Sequence, residues 1–281
     1  MLKYKLIAFD LDGTLLDGRK QVSPENLRAL EAAAESGAVV AAATGRIIGG
    51  IPEEIRSLPF LRYYISVNGA YVYDTLEDRV LYRGEIPVKM ALALCRYMDA
   101  LPVLYDCYQD NRGWMSGDMY GRIDEFFGEE RYVLDLVRRL RTPVPNLAET
   151  LEVRGRPVQK MQMYFRPEQM SERTRQLETL AGRFPGLAVT TSFWNNIEIN
   201  SLDADKGLAL KALCGRLGLD MGQTMAFGDG SNDINMLRAA GLGVAMANAA
   251  EAVKAAADME TGDNEHSGVA QMIWRALAGE V

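Results

Sequence analysis

Hydrophobic and polar positions follow two textures along this chain. Residues 4–9 form a mostly apolar run that reads as a buried strand. Ser23-Pro24-Glu25 then marks a helix start: a hydroxyl to cap it, proline at the first helical position, and a carboxylate near the positive end. Leu27, Leu30 and Ala34 give that helix an apolar stripe, and Gly37 ends it. Residues 38–43 form a second buried strand and 64–67 a third. Continuously apolar strands joined by a helix predict a parallel sheet covered on both faces. The texture returns near the C-terminus, with strands over 224–227 and 242–246 and helices over 231–240 and 249–257.

The middle of the chain reads differently. A helix over 88–99 precedes short strands over 103–108 and 113–116, joined by the polar turn Gln109-Asp110-Asn111. Helices follow around 118–127 and 131–139, then a strand over 158–165, an amphipathic helix over 168–184, and strands over 187–191 and 196–200. Hairpins mixed with helices predict an α+β unit rather than more parallel sheet. The expected organisation is a discontinuous α/β core, residues 1–83 and 200–281, with a second domain inserted over 84–199.

Composition narrows the chemistry. With 48% hydrophobic and 25% charged residues, the 281-residue chain carries enough apolar material for a soluble core. No apolar run approaches the ~18 residues of a membrane span. The opening MLKYKLIAFDLD places two aspartates where an export signal needs apolar residues, so a cytoplasmic location is expected. Thirty-one basic against 38 acidic residues give a net charge of −7, which argues against nucleic acid or anionic membrane as partner. Three cysteines without C-x-x-C spacing read as reduced, buried thiols. His266 is the only histidine, which excludes multi-histidine zinc sites and leaves any histidine-based triad dependent on that residue. Carboxylates, lysine, hydroxyls and a hard metal ion remain.

Four short segments hold such groups. Asp10-Leu11-Asp12-Gly13-Thr14 follows the first strand, at the end where open parallel sheets bind ligands. Carboxylates at i and i+2 of an extended segment share one side and need a cation or a shared proton; for a cation, oxygen donors alone favour Mg²⁺. Thr44-Gly45-Arg46 follows the second strand; its hydroxyl and backbone N–H groups suit phosphate oxygens, although such a turn is also an ordinary strand-to-helix connection. Arg46 reads equally as a substrate contact or a surface ion pair. Asp205-Lys206-Gly207 opens a helix, where an isolated lysine is usually solvated. Gly228-Asp229-Gly230-Ser231-Asn232-Asp233 adds two carboxylates and an amide at another strand end, with Asn232 placed for a phosphate oxygen.

In this order the four segments resemble the motifs of haloacid dehalogenase-like hydrolases, and the insertion between the second and third resembles the α/β cap of their Cof-type subfamily. Asn68-Gly69-Ala70, Ala247-Asn248-Ala249 with Val253-Lys254, and Asn264 with Gly268-Val269-Ala270 are similar to that subfamily's pattern; Ser267 departs from the aspartate many relatives carry. The resemblance implies a Rossmann-like core with an inserted specificity cap, and a Mg²⁺-dependent phosphatase acting on a small phosphorylated metabolite. It makes Asp10 the nucleophile and Asp12 the general acid, then base. Mg²⁺ falls to Asp10, the Asp12 backbone carbonyl, Asp229 and Asp233; the phosphoryl oxygens fall to the Leu11 backbone, Thr44, Gly45, Lys206 and Asn232. A phosphomutase of the phosphomannomutase type and a non-catalytic phospho-ligand binder are the alternatives. A receiver module shares the aspartates but is ~120 residues long, has no cap and has no use for Asp12. Either a monomer or a homodimer is compatible with the sequence.

Overall fold

The computed structural model describes residues 3–127 and 131–281. They form two compact units, one comprising the chain up to Arg46, Ile51–Arg83 and Ala204–Val281, the other Ile47–Gly50 and Gly84–Asp203. In the first unit, β1 (Leu6–Phe9), β2 (Val39–Ala43) and β3 (Leu61–Ser66) are the apolar runs. The third starts earlier than its pattern suggests and stops at Ser66, because Val67 turns to φ +52°, outside strand geometry. An antiparallel hairpin follows, β4 (Tyr71–Asp74) and β5 (Arg79–Arg83), whose last strand is half exposed and so lacks a continuous apolar signal.

The helix Pro24–Glu35 begins as expected, with Ser23 Oγ accepting the Asn26 N–H at 3.1 Å. Its buried stripe is Asn26, Ala29, Leu30 and Ala33, rotated from the one the apolar residues mark. Asn26 turns inward because it has partners there: it donates to the Leu15 carbonyl at 3.4 Å and accepts the Ala270 N–H at 2.9 Å.

The second unit is built on β6 (Leu104–Gln109), β7 (Arg112–Ser116), β8 (Arg141–Val144), β9 (Lys160–Tyr164), β10 (Leu187–Thr190) and β11 (Asn196–Ser201), in the order β10-β11-β9-β6-β7-β8. All neighbours are antiparallel except β7 and β8. Asp110 and Asn111 take φ +52° and +58° in the two-residue turn between β6 and β7. Alternation divides the sheet chemically. Tyr105, Cys107, Met161, Met163, Ile197 and Ile199 pack with the helices Val88–Met98, Leu147–Arg154 and Met170–Arg183. The intervening positions are polar yet buried, and ion-pair Arg141 with Asp106 at 2.7 Å and Lys160 with Glu198 at 2.8 Å. The helix expected over 118–127 is two single turns, Gly117–Tyr120 and Asp124–Phe127. Neither β8 nor Leu147–Arg154 is foreseen, since Pro143 and Pro145 interrupt the pattern.

The first sheet is completed by β12 (Thr224–Gly228), β13 (Leu242–Ala245) and β14 (Met259–Glu260), giving the order β14-β13-β12-β1-β2-β3-β4-β5, parallel from β14 through β3. Leu6, Ala8, Ala41, Ala43, Ala226 and Ala245 pack with the helices Lys206–Leu217 and Ile234–Ala239. Ile7 and Phe9 point to the opposite face, where Pro24–Glu35 and Gly268–Leu277 bury their apolar sides. The helix expected over 249–257 is only the turn Glu251–Lys254. The expected 231–240 helix opens as the 3-10 turn Ser231–Asp233. Cys95, Cys107 and Cys214 are free and buried. Among the described residues no helix is long and apolar enough to cross a membrane.

Candidate active site

Parallel order brings the carboxyl ends of β1, β2 and β12 to one edge of the sheet. The Asp10 N–H still bonds the Phe227 carbonyl at 3.0 Å, continuing the sheet, but the chain then rolls over: the Leu15 and Leu16 N–H groups return to the Asp10 and Leu11 carbonyls. This turn corrects the expectation of two carboxylates on one side of an extended segment. Asp10 faces the end of β12, and Asp12 points elsewhere.

Around Asp10 the structure assembles Lys206, Asp229 and Asp233. Asp205 caps the helix Lys206–Leu217 by accepting the Leu208 N–H at 2.9 Å, which makes Lys206 the first helical residue. That lysine is fully buried rather than solvated, and its Nζ bridges Asp10 at 2.7 Å and Asp233 at 2.6 Å. Asp233 also accepts the N–H groups of Asp229 and Gly230, at 3.1 and 2.9 Å. Asp229 accepts the Thr14 hydroxyl at 2.8 Å. Its carboxylate lies against Gly13, where φ is +84° and a Cβ would stand 2.3 Å from Oδ2, so only glycine fits.

One ammonium serves three carboxylates here, and the ionisation reflects it. Burial pushes the Asp10 carboxyl well above the usual range, with Lys206 pulling against this and Asp233 adding to it. Burial and the neighbouring Asp233 and Asp12 also raise Asp229, although the Thr14 hydroxyl and Lys206 oppose them. Burial opposes the charge of Lys206, but the two carboxylates outweigh it and hold the ammonium firmly protonated. Oxygens of Asp10, Asp229 and Asp233 lie within 4.8 Å of one another. An all-oxygen donor set short of positive charge fits a hard divalent cation.

Asp12 has the opposite surroundings. Arg46 donates to both its oxygens, Nε at 2.7 Å and Nη2 at 2.6 Å, and Lys20 Nζ adds a bond at 2.8 Å. Partial burial works against the charge, but Arg46 and then Lys20 overcome it and hold the carboxyl at about 2. Thr44 is buried at the end of β2, with its N–H on the Ile65 carbonyl at 2.7 Å and its hydroxyl accepting the Arg46 N–H at 3.2 Å. Gly45 is half-buried beside it and Leu11 fully buried in the turn. Asn232 stands exposed after β12 and donates to Asn68 at 3.1 Å.

The chain is similar to known proteins. A family model described as haloacid dehalogenase-like hydrolase matches residues 7–273. The chain belongs to that family. Similar members include the phosphatase YwpJ of Bacillus subtilis, 32% identical over 97% of this chain and all of the relative. The pyridoxal phosphate phosphatase YbhA of Escherichia coli is 31% identical over 97% of this chain and 98% of its own. A crystal structure of a haloacid dehalogenase-like hydrolase from Bacteroides thetaiotaomicron superposes with a TM-score of 0.82, at 28% identity, over 97% of this chain and 99% of that one.

The clamp on Asp12 is not legible in the sequence of this hydrolase. Lys20 lies in a tight polar loop with no periodicity, and the pairing of Arg46 with Asp12 shows only in the fold. Asn248 and Asn264 donate their amides to the Gly13 and Leu16 carbonyls, both at 2.8 Å, and so hold the loop that carries Asp12. His266 is exposed and pairs with Asp263 at 2.6 Å. Ser267 precedes the last helix and bonds Ser23 at 2.8 Å.

Proposed function

We propose that this hydrolase cleaves a small phosphomonoester, a sugar phosphate or similar metabolite, through an aspartyl-phosphate on Asp10. The carrying observation is the buried Asp10–Lys206–Asp233 bridge beside Asp229 at the sheet edge. Names of relatives acting on pyridoxal phosphate and 5-amino-6-(5-phospho-D-ribitylamino)uracil support the substrate class. An Asp10 oxygen attacks phosphorus, and the bond from phosphorus to the ester oxygen breaks. Asp12 gives the departing alkoxide a proton. It then takes one from a water that attacks the phosphoryl group, releasing phosphate and restoring Asp10.

Lys206, Thr44 with Gly45, the Leu11 backbone and Asn232 hold the phosphoryl oxygens, which carry the charge that electrostatic positioning must stabilise. Asp10, Asp229, Asp233 and the Asp12 carbonyl would hold Mg²⁺, which would supply the missing positive charge beside the Asp10 carboxylate. Arg46 and Lys20 keep Asp12 in the basic form that the second step uses; the first step requires that clamp to loosen. Choice among leaving groups falls to the inserted unit.

The test is phosphate release from a panel of phosphorylated metabolites with Mg²⁺, with EDTA and with Asp10→Asn. Metal-dependent release that Asp10→Asn abolishes is expected. Normal kcat in that variant, or isomerised sugar phosphate in place of free phosphate, would overturn the reading.

A further inference from the structure

Between β3 and β4 the backbone takes three successive left-handed residues, Val67 at φ +52°, Asn68 at +58° and Gly69 at +93°. A β-branched, fully buried valine in that region is a genuine outlier, and such conformations persist only where surrounding contacts over-determine them. Here the contacts reach the segments that hold phosphate in the proposed reaction. The Val67 N–H bonds the Arg46 carbonyl at 3.0 Å, and the Asn68 N–H bonds the Thr44 carbonyl at 3.1 Å. Gly69 lies so close to the start of the next helix that a Cβ would stand 2.3 Å from the Asp205 carbonyl and 2.7 Å from the Lys206 nitrogen. The Asn68 side chain packs over Gly45, and its Oδ1 accepts from Asn232 Nδ2 at 3.1 Å.

We infer that Asn68 is a positioning residue for phosphate recognition, acting through Asn232. The inference rests on the phosphoryl-transfer reading above. Asn232 is exposed, so an unbraced amide there samples several rotamers and presents either its oxygen or its nitrogen. Oδ1 of Asn68 is an acceptor, and it settles that choice: the NH₂ end of Asn232 turns inward, with its second N–H left for a phosphate oxygen. A carbonyl in the same place would repel the phosphate. Ordering the amide beforehand removes part of the cost of binding. The left-handed turn makes this possible, because it aims Asn68 across the carboxyl ends of β2 and β12 while its backbone ties down Thr44 and Arg46.

The experiment is a double-mutant cycle on the full chain in Mg²⁺ buffer, reading the Kd for inorganic phosphate by calorimetry. Asn68→Gly removes the side chain but keeps the left-handed backbone accessible, so an unchanged Tm is expected. Alone it should raise the phosphate Kd about 3- to 10-fold, the effect of one neutral hydrogen bond. In an Asn232→Ala background the same change should alter Kd less than twofold, because the residue it acts through is gone. Equal effects in both backgrounds, or no effect in either, would overturn the inference, as would a wild-type chain that binds no phosphate. p-Nitrophenyl phosphate turnover separates this from the reading beneath it. A wild type that binds phosphate without turnover overturns the phosphatase, whereas a failed cycle in an active enzyme overturns only the role of Asn68.

Discussion

Two aspartates two positions apart are given opposite surroundings by the fold. Asp10 is buried against a single ammonium shared with Asp233, whereas Asp12 carries three bonds from two cations. Lys206→Met leaves two buried carboxylates without their cation, and kcat is expected to fall about 100-fold or more; steady-state kinetics on p-nitrophenyl phosphate checks this. Arg46→Ala removes two of the three bonds on Asp12 and so releases the group that serves as base in the second step of the proposed reaction. We expect kcat about 10-fold lower or worse, with a rapid burst of p-nitrophenolate as the phosphoenzyme accumulates. An unchanged kcat without a burst would show that the clamp has no part in turnover. Lys206 is marked only by the resemblance to the family, its local pattern reading as a solvated helix start, whereas Asp10, Asp229 and Asp233 are visible in the sequence as carboxylates following apolar runs. Lys20 is not visible there, since only the fold decides which cation reaches Asp12.

At the scale of elements, polar side chains placed between secondary structures hold the core unit in register. Asn26 joins the helix Pro24–Glu35 to the start of Gly268–Leu277, so Asn26→Leu leaves a buried N–H unpaired. A loss of about 1–3 kcal/mol is expected from urea unfolding. Asp74, at the end of β4, takes two bonds from Arg62 on β3, at 2.7 and 2.6 Å, and two more from the Leu76 and Glu77 N–H groups. Arg62 first, helped by those N–H groups, holds this carboxyl below its usual range. Its contribution is therefore present above the unfolded value near ~3.9 and is lost as pH falls through the lower folded value. Asp74→Asn should destabilise by about 1–3 kcal/mol at neutral pH, and the gap to wild type should close in acid. Buried strands are legible because they are apolar throughout. The inward turn of Asn26 is not, because its partners lie outside the helix, Leu15 in the preceding loop and Ala270 at the far end of the chain. β8 and the single turns of the inserted unit escape for a related reason: prolines and short lengths leave no period to read.

Over the whole molecule a net charge of −7 coexists with three carboxylates gathered at one sheet edge. A cation bound there stabilises the fold by mass action, about 2.7 kcal/mol at 100 times its Kd. Mg²⁺ should therefore raise Tm by several degrees in the wild type, and by much less in Asp229→Asn; equal shifts in both would place the ion elsewhere. The strand order has a different consequence, for how the protein is made. β1 lies inside its sheet, with Leu6 opposite Val39 on one side and opposite Thr224 on the other. A ribosome delivers the first partner early and the second only after the entire inserted unit. Throughout that interval a nascent chain exposes one bare, apolar edge of β1, the kind of surface that chaperones shield and aggregates recruit. Asp10 meanwhile waits without Lys206, Asp229 or Asp233, so a chain whose translation stops before those residues has no route to the proposed chemistry, however well its first half has folded.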